Sequence, residues 1–160
     1  ITRNLAEAID AIFIFARERS MMFWAYSICI NQADDHERGR QVRLMNPIYC
    51  LAEIVAIWLG LAAHESDLAF DTMKEWKAKF DRLKEQFNGS EELAVTSISS
   101  SDDFYFGPRG SEPHKALKAL RMLCRRPWWE TAWIVQERTF ANPDRTILFY
   151  GSRSIDWIHL

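Results

Sequence analysis

The sequence predicts an α/β fold, a partial doubly wound parallel sheet flanked by helices, on three observations. Met21 to Ile30 is a near-continuous apolar run, and Ile54 to Leu59 and Thr146 to Tyr150 are two more. Such runs read as strands buried on both faces, as in a parallel sheet. Amphipathic helical patterns stand between them, so the order is helix, strand, helix, strand, helices, strand. The chain has 160 residues, 48% apolar and 26% charged, which suits one globular domain with a sizeable core.

Each element has a local reason. Residues 4 to 18 place Leu5, Ile9, Ile12, Phe13 and Ala16 on one helical face, with Asn4 as cap and Glu7 completing a capping box. Asp34 or Asp35 caps a second helix, whose stripe is Val42, Met45, Tyr49 and Ala52; Pro47 should kink it or end it early. Gly60 stops the second strand. Residues 65 to 87 form a long helix with Leu68, Thr72, Trp76, Phe80, Leu83 and Phe87 on one face, ended by Asn88-Gly89. Residues 88–112 are rich in Ser, Gly and acids and are expected to be a mobile insertion. Helices are expected from Pro113 to Cys124 and from Trp128 to Phe140, separated by the break at Arg126-Pro127. Gly151 turns the third strand toward Ser154-Ile155-Asp156-Trp157.

The totals narrow the function. A net charge of −2 provides no general attraction to nucleic acid or to an anionic membrane. The most apolar stretch, Ile48 to Ala63, is short and interrupted by Glu53, so no membrane span is expected. Cys29, Cys50 and Cys124 are odd in number and far apart, which fits a reduced intracellular compartment, the cytoplasm, with each acting as a small hydrophobe. The four histidines show no metal spacing, and no metal site is expected. The chain opens with Ile, so the expectation is a processed, trimmed or partial product. Phosphate-loop, dinucleotide and hydrolase motifs are missing.

The first candidate site lies where the Met21–Ile30 run ends. Asn31 and Gln32 would stand at a strand's carboxyl end, before a helix N-terminus, where α/β sheets bind ligands. Their amides are a polar floor for a ligand, or simply the side chains that strand-to-helix turns favour.

Two blocks carry a family resemblance. Ser27-Ile28-Cys29-Ile30-Asn31-Gln32, Glu37-Arg38, Gln41-Val42, Met45, Ile48-Tyr49, Ala52-Glu53 and Trp58-Leu59-Gly60 form the first. Arg126-Pro127-Trp128-Trp129, then Ala132-Trp133-Ile134-Val135-Gln136-Glu137, form the second. In this order they resemble the fungal heterokaryon incompatibility (HET) domain, from about Asn4 to the C-terminus outside the insertion. The chain departs from the family in three places. Tyr26 stands where the family has an Asp, Pro47 where it has a helix former, and the opening strand with its Ser-Tyr-x-Trp-Gly motif is absent. The resemblance therefore implies a single, N-terminally incomplete domain over 1–160, with a TIR-like or flavodoxin-like sheet lacking its first strand.

The same resemblance implies a function. HET domains act in fungal non-self recognition and cell death, through self-association or protein partners, and need no cofactor for it. They are remotely similar to TIR domains, some of which hydrolyse NAD with a helical Glu in a Trp-Cys-x-x-Glu segment. Trp133 and Glu137 have that spacing, so the resemblance makes Glu137 the catalytic candidate and NAD the candidate substrate. A fixed carboxylate stabilises the positive sugar formed as the nicotinamide bond breaks. Trp128, Trp129 or Trp133 can stack on a flat ring, Arg126 can fork onto a phosphate, and Gln136 can add a polar contact. Plainer roles stand beside these: Glu137 pairing with Arg138 or Arg126, and Trp133 in the core. With Tyr26 in place of the acid and the opening strand absent, the resemblance favours signalling by interaction over catalysis.

Overall fold

The computed structural model describes residues 2–63, 65–100, 113–131 and 139–157. The chain divides into two compact units, one drawn from 1–61 and 127–158, the other from 62–126 and 159–160. Among the described residues are six helices and one three-stranded mixed sheet, so the α/β class holds.

The first unit holds the sheet. Strand β1 (Val55–Trp58) runs parallel to β2 (Thr146–Tyr150), with Val55 opposite Thr146 and Trp58 opposite Phe149. The pairing continues past the strand, where the Leu59 amide donates to the Phe149 carbonyl and the Gly151 amide to the Gly60 carbonyl. β2 turns through Gly151 and Ser152 into β3 (Arg153–Asp156), which pairs antiparallel. A two-residue hairpin needs a residue at positive φ, and Gly151 supplies it at 49°. β2 is therefore central, and Leu148, Phe149 and Tyr150 are buried.

Helix α1 (Arg3–Glu18) buries Ala8, Ile12 and Ala16, a four-residue period. The expected face is rotated slightly, for Phe13 is exposed and Phe15 meets Phe149 edge-on at 5.2 Å instead. The cap is Thr2, whose Oγ1 accepts the Leu5 amide at 3.3 Å, and not Asn4. Asn4 accepts from the Trp58 indole, and Glu7 pairs with Arg3. No capping box forms, because both of its side chains have other partners.

The expected strand over Met21–Ile30 does not form. Residues 21–25 take no regular secondary structure, with Ala25 extended, and Tyr26–Cys29 make one helical turn, α2, in which no residue is buried. The Ala25 carbonyl accepts the amides of Ile28 and Cys29. A continuous apolar run suits a buried strand or a helical segment equally, so periodicity alone does not choose.

Asp34 caps α3 (Asp35–Leu51) as expected, accepting the amides of His36 and Glu37 at 2.9 and 3.0 Å. Its stripe is as read, with Met45 buried and Val42, Tyr49 and Ala52 half-buried. Pro47 does not end the helix, which runs on to Leu51.

The second unit is helical. α4 (Ser66–Gln86) has Thr72, Ala69, Phe70 and Met73 buried, with the rest of the expected stripe half-buried or at its edge. It ends as read: Asn88 and Gly89 take φ of 53° and 88°, and the Gly89 amide returns to the Lys84 carbonyl. Ser90 then caps α5 (Glu91–Ser99), so the first part of the stretch read as an insertion is an ordered helix packed on α4. α6 (Pro113–Leu123) also packs on α4 and buries Ala116, Ala119 and Leu123. Two alanines in that face let the helix backbones approach closely.

The three cysteines are free and exposed. Cys29 sits on the uncovered turn of α2, and Cys50 donates to Asn46 Oδ1 along an open face of α3. No helix among the described residues is long and apolar enough to cross a membrane.

Candidate functional site

Asn31 and Gln32 do not cap a strand, because the run before them is not one. They close a local turn between α2 and α3. Gln32 Nε2 donates to the carbonyls of Tyr26 and Ile30 at 3.0 and 3.1 Å. Asn31 Oδ1 accepts the Ala33 amide at 3.1 Å, an Asx-type turn. The Asn31 amide donates to Glu37 Oε1 at 3.2 Å. With Asp34 holding two further amides, the entrance to α3 is internally satisfied. Asp34, Asp35 and Glu37 also make it acidic, so the helix dipole is already answered and an anion is disfavoured there. Both side chains take part in these local hydrogen bonds.

Trp128 stands in a 3-10 turn, Pro127–Glu130, where the sequence predicts the start of an α-helix; Pro127 allows such a tight start. Thr131 closes the turn, its amide and hydroxyl both donating to the Trp128 carbonyl. The turn directs two indoles together: Trp128 and Trp129 meet edge-on at 4.8 Å. Trp157, just past β3, joins them with ring centres 6.3 Å from each. All three are half-buried, so the cluster presents aromatic surface to solvent. Sequence reasoning misses Trp157, because nothing in its local pattern ties it to rings near residue 128.

Arg126 belongs to the second unit. Its guanidinium donates to Ser66 Oγ at 2.8 Å and to the Ala63 carbonyl at 3.5 Å. Ser66 in turn bonds both the amide and the carbonyl of Ala63. This matters locally because the residue before α4, Glu65, has φ 60° and provides no side-chain cap. Arg126 and Ser66 secure the start of α4 in its place.

Trp133, Gln136 and Glu137 lie outside the described residues. The described portion thus places Asn31, Gln32 and Trp128 in one unit and Arg126 in the other. Among the described residues no three His, Cys, Asp or Glu side chains gather as a metal-binding group.

An α/β module with a small mixed sheet, an acidic turn at the head of α3 and a solvent-facing tryptophan cluster is the class these features define. The chain matches the heterokaryon incompatibility protein (HET) family over residues 1–137. It is 32% identical, over an alignment of 159 positions, to heterokaryon incompatibility protein 6, OR allele, of Neurospora crassa. That alignment covers 86% of this chain and 22% of the relative, so the chain spans about a fifth of the relative's length. No solved structure matches. The chain belongs to the heterokaryon incompatibility family.

Proposed function

We propose that this chain is a cytoplasmic signalling module of fungal non-self recognition, one that triggers cell death by associating with itself or with a protein partner. The observation that carries this reading is the family match across residues 1–137, joined by the likeness to an incompatibility protein. Three unpaired, exposed cysteines suit a reducing compartment. The parallel β1–β2 pair is compatible with a larger, doubly wound TIR-like sheet to which this unit contributes two neighbouring strands. The test is to fuse the chain to an inducible dimeriser in a filamentous fungus and score viability. Death on clustering supports the reading; unimpaired growth at full expression removes it.

A second reading, NAD hydrolysis with Glu137 as the catalytic carboxylate, draws support from the Trp133–Glu137 spacing and from the half-buried indoles at 128, 129 and 157. Flat rings of that kind can hold a nicotinamide or adenine by stacking. In this reading NAD is the substrate and no resident cofactor takes part. Clustered protein incubated with NAD would release nicotinamide, and Glu137→Gln would abolish that release. Equal release by the variant excludes Glu137 from the chemistry.

A further inference from the structure

Helix α3 has 17 residues, of which Met45 alone is fully buried. Helices in proteins draw most of their stability from an apolar face packed on something. Opposite Met45, the positions of Arg40, Leu44, Pro47 and Leu51 follow the i, i+4, i+7, i+11 spacing of a single stripe. All four are exposed, Leu44 at 49% and Leu51 at 81%. Arg43 flanks them. Neither Arg40 nor Arg43 has an ion pair or side-chain hydrogen bond among the described residues, whereas Arg38 is committed to Asp35 and the Gln32 carbonyl. At the other end, the last turn of α3 carries no basic residue, and the exposed Glu53 follows its C-cap. The stripe therefore begins with cations uncommitted among the described residues, is apolar in its middle, and ends at a helix terminus with no basic residue, beside a carboxylate.

That order is complementary to itself when reversed. We propose that this stripe of α3 is the contact between two copies of the chain, packed antiparallel across a twofold axis near Pro47. A twofold contact uses one patch twice, so each copy must present both halves of every pair. Leu44 of one copy rests against the partner's Leu51, and the reverse. Arg40 and Arg43 meet the partner's Glu53 at the negative end of its helix. Pro47, at the axis, has no amide to desolvate. One helix per copy makes a small interface, below about 1,200 Å² in total. Its dissociation constant is on the order of 100 µM, and tethering within a larger assembly, at effective concentrations of about 1 mM, would saturate it. This inference rests on the self-association reading above and names its surface.

Sedimentation velocity on the intact chain from about 5 µM to about 1 mM brackets that constant. Circular dichroism of each variant confirms folding. The expected result is a concentration-dependent dimer that Leu51→Glu weakens by about ten-fold or more. The Arg40→Glu, Arg43→Glu pair weakens it, Glu53→Arg alone weakens it, and the three together restore it to within about three-fold. A monomer throughout, a dimer indifferent to Leu51→Glu, or a triple variant no tighter than its parents overturns the proposal. The dimeriser fusion separates the two claims: if forced clustering kills cells while the free chain stays monomeric, the α3 contact fails and the signalling reading stands. If the α3 dimer forms and forced clustering does nothing, the reverse holds.

Discussion

The indole nitrogen of Trp58 donates to the Asn4 side-chain oxygen at 3.2 Å, joining the first turn of α1 to the last residue of β1 across 54 positions of sequence. Trp58 is half-buried, so its N–H needs a partner near the surface. Asn4→Ala and Trp58→Phe should each lower stability, with about 1 kcal/mol coming from the hydrogen bond itself. The double variant should lose less than the sum, because both remove one bond. Urea titrations followed by circular dichroism measure this; strict additivity would sink the pairing.

Leu148 is fully buried on the central strand. Leu148→Ala should cost about 2–5 kcal/mol through lost transfer energy and the cavity left behind. The urea midpoint is the readout, and a change of less than about 1 kcal/mol would place this residue outside the core.

Arg126 holds the uncapped start of α4 through Ser66, which is buried. Arg126→Ala should remove one of the two donors to the Ser66 hydroxyl, the Ala63 amide remaining, and cost about 1 kcal/mol. Arg126→Lys should recover only part, since both bonds leave one guanidinium nitrogen, Nη2, which the ammonium of a shorter side chain reaches less well. Hydrogen exchange should quicken first in residues 66–70. If instead the variant keeps α4 protected and loses only a bound phosphate ligand, the residue serves binding and not the helix.

Glu91 opens α5, and its carboxylate lies 2.5 Å from the Lys84 ammonium at the end of α4. The hydrogen bond and the charge of Lys84 hold the Glu91 carboxyl below its ordinary value. A carboxyl depressed in the folded state adds stability that is fully present above its unfolded value and is lost as pH falls through the folded one. The pair is exposed, so the contribution is small and screened by salt. Carbon-detected NMR titration should give Glu91 a midpoint below that of a free glutamate. Lys84→Met or high salt should raise it; a midpoint indifferent to both would deny the pair.

Sequence and structure agree where structure is local. The long helix α4, its stop at Asn88-Gly89, the Asp34 cap of α3 and the turn at Gly151 follow from side-chain periodicity and from residues that tolerate left-handed backbone. Strands β1 and β2 are legible as short apolar runs closed by glycine. The site is less so. The spacing that marks Asn31 and Gln32 is the same for a ligand floor and for a self-satisfied turn, and their bonds to Tyr26, Ile30, Ala33 and Glu37 are visible only in the fold.

What the amino-acid order determined alone, then, was family, fold class and the helices whose caps and stripes lie within a few residues of one another. Tertiary structure decided the rest. Met21 to Ile30 has a strand's composition but forms no ladder, since a strand exists only through hydrogen bonds to a distant neighbour. Trp157 joins Trp128 and Trp129 only because β2 and β3 fold back as a hairpin. Arg126 is drawn to Ser66 because α4 begins without a cap. Each of these rests on a contact between residues far apart in sequence, and no local pattern encodes which distant group will be there.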